Sequence, residues 1–140
     1  MTKWIAALCV SSALIISSPT FAETATLSKV LSASVSVSGQ MTTDKFSQLM
    51  KQGYRSVIVN RPDQEQGNAV SFNQLRELGT KDGIAMIYQP VISGQITRKD
   101  VDTFAQHYQQ LAKPILMVCR SGSRSSQLFN EAKRLGLINE

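Results

Sequence analysis

The chain has 140 residues, of which 42% are hydrophobic and 18% charged, a size and balance that fit one globular domain and no more. The net charge of +5 is modest, and the basic residues Lys45, Lys51, Arg55, Lys81, Lys99, Lys113 and Lys133 are scattered along the chain. No arginine-rich or aromatic-interleaved stripe exists, so no nucleic-acid partner is indicated, and the charge licenses only a mild preference for anionic ligands.

The first 22 residues read as a secretory leader rather than as part of the domain. Lys3 gives a positive start, Trp4 to Ile16 an apolar core, and Thr20-Phe21-Ala22 a small-residue cleavage site. Ser11, Ser12, Ser17 and Ser18 break the run well short of the roughly 20 apolar residues that a membrane span needs. Cleavage after Ala22 would leave residues 23–140 as the mature, periplasmic or secreted protein, with an uncleaved anchor as the alternative. Leu8 before Cys9 argues against a lipid anchor, and removal of Lys3 brings the net charge from +5 to +4.

In the mature part, residues 23–33 form a polar, extended lead-in. Val35 and Val37 alternate with serines, which predicts a short edge strand ending at Ser38-Gly39. Thr43 caps a helix through Gln52, with Phe46, Leu49 and Met50 on one face and Gly53 as its stop. Residues 56–60 are a β-branched strand that Pro62 ends, followed by a polar loop over residues 63–70. Ser71 with Gln74 opens a short helix ending at Gly79. Residues 84–88 are a further buried strand, and residues 90–95 a breaker-rich loop. Thr97 with Asp100 caps a third helix bearing the stripe Val101, Phe104, Tyr108 and Leu111. Pro114 introduces the strand 115–118, and Leu128, Phe129, Ala132 and Leu135 mark the inner face of the last helix. Met41, Met50, Met86 and Met117 read as core filler.

Apolar strands alternating with amphipathic helices imply an α/β fold in three layers, a mostly parallel central sheet with helices on both faces. Ligands of such sheets bind where loops leave the carboxyl ends of the strands. Three loops meet there, around Arg61-Pro62-Asp63, Val91 to Gln95, and Cys119-Arg120-Ser121-Gly122-Ser123-Arg124. Topology therefore brings Arg61, and with it Asp63 or Glu65, towards the cysteine; the plain alternative for Arg61 is a solvated loop residue. Asp100 is explained by its cap, and Asp102 by solvent. His107 belongs on the surface or rim, and with no second histidine or cysteine beside it no metal site and no cofactor are indicated.

The cysteine loop carries the chemistry. With Cys9 gone, Cys119 is the only thiol of an exported chain, where cysteines are ordinarily paired or absent. A strand turning straight into a helix leaves amide N–H groups aimed at one spot, which attracts anions. The helix N-terminus and two guanidinium groups predict a depressed Cys119 pKa. The plain alternative is a small buried hydrophobe at a strand end.

Residues 53–63 (Gly-Tyr-Arg-Ser-Val-Ile-Val-Asn-Arg-Pro-Asp), the Gln89-Pro90-Val91 turn and residues 118–125 (Val-Cys-Arg-Ser-Gly-Ser-Arg-Ser) resemble the bacterial beta-lactamase hydrolase-like family. The likeness runs from about Val35 onward. It implies a fold similar to dual-specificity protein phosphatases, although some members of the family are labelled sulfur transferases. The resemblance implies Cys119 as nucleophile towards phosphorus, Arg124 as bidentate phosphate clamp, and Ser125 as the hydroxyl that eases thiolate departure. It further implies that Arg120, Ser121, Gly122 and Ser123 cradle the oxygens of an anionic small-molecule or phosphorylated substrate.

Three departures from the phosphatase pattern stand out. Only four residues separate Cys119 from Arg124, one fewer than in the phosphatases, and Val118 replaces the histidine before the nucleophile. Ser93 stands where the general-acid aspartate is expected, with Asp63 as the substitute candidate. Loss of an acid costs about 10²–10⁴ in rate, which implies weak turnover or a restriction to good leaving groups. The sequence Cys119-Arg120-Ser121-Gly122-Ser123-Arg124 also fits the rhodanese pattern Cys-Arg-x-Gly-x-Arg. Cys119 would then hold a persulfide, a chemistry that needs no general acid. A binding module with little turnover is the third reading.

Overall fold

The computed structural model describes residues 26–140, so the leader expected over residues 1–22 lies outside the described residues. The chain runs β1 (Lys29–Val30), β2 (Val35–Ser38), α1 (Thr43–Met50), β3 (Ser56–Val59), α2 (Phe72–Lys81), β4 (Ala85–Tyr88), α3 (Arg98–Gln110), β5 (Ile115–Val118) and α4 (Ser123–Arg134). The strands form one sheet in the order β1-β2-β5-β3-β4. β2, β5, β3 and β4 are parallel, and β1 is antiparallel to β2.

Alternation along the strands divides the core. Val35, Val37, Ile58, Ile115 and Met117 face Val101 and Phe104 of α3 and Leu128 and Phe129 of α4. Val57, Val59, Leu116 and Val118 point the other way, onto Phe46 and Leu49 of α1 and Phe72 and Leu75 of α2. The sheet is thus covered on both faces, as the apolar runs predict. β5 lies in the middle, with Ile115 paired to Val35 on one side and to Ser56 on the other. Cys119, the residue after β5, therefore leaves the centre of the sheet.

Several boundaries differ from the sequence-based expectation. The edge strand is β1, inside the segment expected to be plain lead-in, and β2 is a buried interior strand. Its serines tolerate burial because they find partners, as when the Ser38 hydroxyl donates to the Leu27 carbonyl at 2.7 Å. β4, expected to be buried, is the opposite edge, with Ala85 and Tyr88 exposed. The cap of α1 is Thr42, whose Oγ1 accepts the Lys45 N–H at 3.1 Å, and the helix stops at Met50. α2 runs past Gly79 to Lys81, and Gly79 lies against β4, where a Cβ would clash with Met86 Sδ. The capping boxes of Ser71 with Gln74 and of Thr97 with Asp100 are present as expected.

Candidate active site

β5 ends at Val118, and the next residues turn at once into α4. Gly122 makes the turn with φ 87°, a backbone conformation that a side chain would strain. α4 has no side-chain cap on its first turn. The N–H of the N-cap residue Gly122 donates to Cys119 Sγ at 3.0 Å, which sets the sulfur just ahead of the helix start. Gly39, at the end of β2, lets the loop lie close: a Cβ there would be 2.9 Å from the Arg120 carbonyl oxygen.

Cys119 is 1% exposed. Burial alone pushes its thiol pKa up, but the amide and hydroxyl of Ser125 and the amides of Ser121 and Gly122 outweigh it, and the net direction is down. The two guanidinium groups expected to share this task are not among the leading causes. Amides and one hydroxyl hold the charge, while Arg124 is turned to a carboxylate.

That carboxylate is Glu65. Arg124 Nη1 donates to Oε2 and Nη2 to Oε1, both at 2.9 Å. The second Nη1 hydrogen goes to the Val91 carbonyl at 2.8 Å, with the Asn60 carbonyl at 3.4 Å. A guanidinium has five N–H donors in a fixed fork. Arg124 Nε, buried, has no partner, and one Nη2 hydrogen is likewise left over. These two donors share one edge of the plane, the geometry that takes two oxygens of an oxyanion. The Arg124 guanidinium in turn holds the Glu65 carboxyl below its ordinary range, by hydrogen bonding first and by charge second.

Asn60 ties the strands together beneath the loop. Fully buried one residue beyond β3, its side-chain Nδ2 donates to the Gln89 carbonyl at 3.1 Å, and its Oδ1 accepts the Ser125 hydroxyl at 2.8 Å. Its N–H donates to the Val118 carbonyl at 2.7 Å, just before the cysteine.

Of the residues singled out in the sequence, Cys119, Gly122, Arg124 and Ser125 come together, all buried, while Arg120, Ser121 and Ser123 lie exposed along the same loop. Arg61 is not a solvated loop residue: it is 3% exposed, bonded through Nη1 to Gln40 Oε1 at 2.5 Å and through Nη2 to the Gln66 carbonyl at 3.0 Å. Its Nε has no hydrogen-bond partner and stands 3.9 Å from Glu65. Asp63 is engaged elsewhere, its Oδ1 accepting the Phe72 N–H at 2.8 Å at the start of α2. Ser93 is exposed in its loop. Glu65, Asn60 and Gln89 complete the site. Asn60 had one signal in the sequence, a polar residue closing an apolar strand. Among the described residues no cluster of His, Cys, Asp or Glu could hold a metal ion.

Residues 28–135 match the family described as beta-lactamase hydrolase-like protein, phosphatase-like domain. The chain belongs to this family. A curated relative, the beta-lactamase hydrolase-like protein of Xylella fastidiosa, is 33% identical over 95 residues, which are 68% of this chain and 22% of the relative. The chain thus spans about a fifth of the length of the curated relatives it matches. Among solved structures it is similar to a candidate phosphatase from Neisseria meningitidis, with TM-score 0.69 and 31% identity over 75% of each chain. The catalytic core of a PP-IP phosphatase from S. cerevisiae shares the fold at TM-score 0.61 and 16% identity, over 80% of this chain and 67% of that one. The domain is phosphatase-like, with the α/β architecture of the dual-specificity phosphatase folds.

Proposed function

We propose that the domain is a cysteine-dependent phosphatase in which Cys119 attacks phosphorus and Arg124 clamps the transferred group. The observation that carries this reading is the orientation of Arg124. Glu65, Val91 and Asn60 engage one end and one side of its guanidinium, and the free edge of Nε and Nη2 remains for two phosphoryl oxygens. The amides of residues 120–124 supply further donors from the start of α4, where the helix dipole adds to them.

In the first step the Cys119 thiolate forms an S–P bond while the ester P–O bond breaks, its electron pair leaving on oxygen. In the second, water attacks phosphorus and the S–P pair returns to sulfur as thiolate. The proton of water stays on the departing phosphate. The Ser125 hydroxyl stabilises the sulfur as it leaves, and Arg120, Ser121, Gly122 and Ser123 line the phosphate.

Paired assays on the purified protein test this. Release of aryl alcohol from an aryl phosphate, abolished in Cys119→Ser, supports phosphoryl transfer. Thiocyanate from thiosulfate and cyanide, with one extra sulfur on Cys119, would replace it by sulfurtransfer through the same loop. Neither activity depending on Cys119 would leave an anion-binding module.

A further inference from the structure

A groove of about 410 Å³ opens beside the cysteine loop, between that loop and the segment leading into β1. Ser121, Gly122 and Ser123 of the loop line it, together with Lys29 of β1, Gly39 after β2 and Lys45 of α1. Gly122 belongs to both sites. Its N–H donates to Cys119 Sγ, while a Cβ on it would lie 3.3 Å from Val37 Cγ2, a residue of the groove. The sulfur and the groove are thus separated by the wall of residues 121–123, which spans at most about 8 Å.

Hydrogen bonds fix the groove on its other sides. The Ser38 hydroxyl donates to the Leu27 carbonyl at 2.7 Å, and the hydroxyls of Ser28 and Tyr54 are 2.9 Å apart. Half-buried Lys45 donates from Nζ to the Gln40 carbonyl at 3.0 Å, which uses one of the three hydrogens of its ammonium. The lining holds two lysines and no carboxylate. Among the described residues neither lysine forms an ion pair. α4 starts at this wall with no acidic residue in its first turn, where one would be favoured. Partial burial draws the Lys45 ammonium below its ordinary pKa, a cost that an incoming anion would offset.

We propose that this groove is a subsite for a second oxyanion, a carboxylate or phosphate, carried by the phosphorylated substrate, with Lys45 and Lys29 as the residues that select it. The proposal rests on the phosphatase reading for the phosphoryl end of that substrate, whereas the groove is argued from its own charge and walls. An ester with one phosphate and nothing more fills only the loop. A molecule bearing a second anion several ångströms from phosphorus reaches over Ser121 and Ser123 to the lysines. Lys45 is set by its bond to Gln40, and Lys29 approaches from the exposed edge strand. Two part-exposed ion pairs of ordinary strength together give about a tenfold preference.

Phenyl phosphate and meta-carboxymethylphenyl phosphate release phenols of similar acidity, so the ratio of their kcat/KM values reads the subsite rather than the leaving group. The wild type is expected to favour the carboxylate ester about tenfold, and Lys29→Met/Lys45→Met by less than about twofold. High salt should erode the wild-type ratio towards that of the variant. Calorimetry with propylphosphonate and phosphonobutyrate reads the same ratio as affinities, without turnover. A wild-type ratio near one in either measurement overturns the proposal, as does a ratio that survives in the double variant. Should the double variant fail to fold, Lys29→Met decides: it is expected to lose about threefold of the preference, and no loss overturns the assignment. If neither ester is hydrolysed while phosphonobutyrate keeps its lysine-dependent advantage, the phosphatase reading fails and the anion subsite stands.

Discussion

Glu65 and Arg124 meet through two hydrogen bonds of 2.9 Å, one from each terminal nitrogen, across 59 positions of sequence. The carboxylate is 23% exposed and the guanidinium 4%, so the pair sits at the rim with the charge of arginine pointing inward. Glu65 aims the arginine. In Glu65→Ala the guanidinium is left buried without its partner, at a cost of about 1–3 kcal/mol in stability. The expected kinetic signature is a KM for aryl phosphate raised by at least about tenfold, because a freed guanidinium no longer presents its Nε edge. An unchanged KM would show that Arg124 needs no such guide.

Arg124→Lys keeps the charge and loses the fork. An ammonium offers no paired, coplanar donors, and charge-assisted hydrogen bonds are worth about 1.5–3 kcal/mol each. Sulfate or phosphate affinity, measured by calorimetry, should fall by at least about tenfold. Equal affinity in the two proteins would remove Arg124 from the anion site.

The Cys119 pKa lies below its unfolded value, so ionisation of the sulfur favours the folded state. The sign follows directly. Above the unfolded thiol pKa the contribution is fully present, and it is lost as pH falls through the depressed folded value. Between those limits the unfolded chain binds the extra proton, and stability rises with pH. The expected observation is a Tm that climbs more steeply through the mildly alkaline range in the wild type than in Cys119→Ser. Parallel Tm profiles would mean that the thiol is not depressed.

Gly39 is placed for approach rather than for a turn. A Cβ at this position would lie 2.9 Å from the Arg120 carbonyl and 3.1 Å from Ser121 Cα, both backbone atoms that cannot rotate aside. Gly39→Ala should therefore push the cysteine loop outward while leaving the core intact. A displacement of about 1 Å can cost about 10²-fold in rate, so activity falls far more than stability. Comparison of kcat with the urea midpoint checks this; a loss of both in proportion would mean that the loop simply unfolds.

Much of this site is legible in the amino-acid sequence. The Cys119 loop followed from an apolar run meeting Gly122 and a polar helix start, and the parallel sheet followed from buried strands separated by amphipathic helices. What could not be read were relations between distant residues. Nothing local distinguishes Glu65 from Asp63, two positions apart in one polar loop, yet one orients Arg124 and the other caps α2. β1 has two residues and no apolar pattern, and its pairing is set by β2 rather than by its own sequence. A depressed thiol is legible in the loop, whereas the pairing of Arg124 with Glu65 is not.

The engagement of the nearby carboxyl groups sets an expectation for the proposed hydrolysis. Asp63 accepts the Phe72 N–H, Glu65 accepts from Arg124 and is held ionised, and Asp100 accepts the Thr97 N–H at 2.8 Å in its cap. Each of the three thus already serves a partner within the fold. Phosphate esters should then react in order of leaving-group acidity, with aryl phosphates far ahead of alkyl ones, since a missing acid costs about 10²–10⁴ when the leaving group is poor and little when it is good. Ser93 is exposed in the loop after β4, where the resemblance to the phosphatases places the general acid. Ser93→Asp is expected to raise kcat/KM for an alkyl phosphate at least about tenfold and to leave a nitrophenyl ester nearly unchanged. The check is a plot of log kcat/KM against leaving-group pKa for both proteins: a steep wild-type slope that flattens in the variant supports the assignment, and a flat wild-type slope means that a proton donor is already at work.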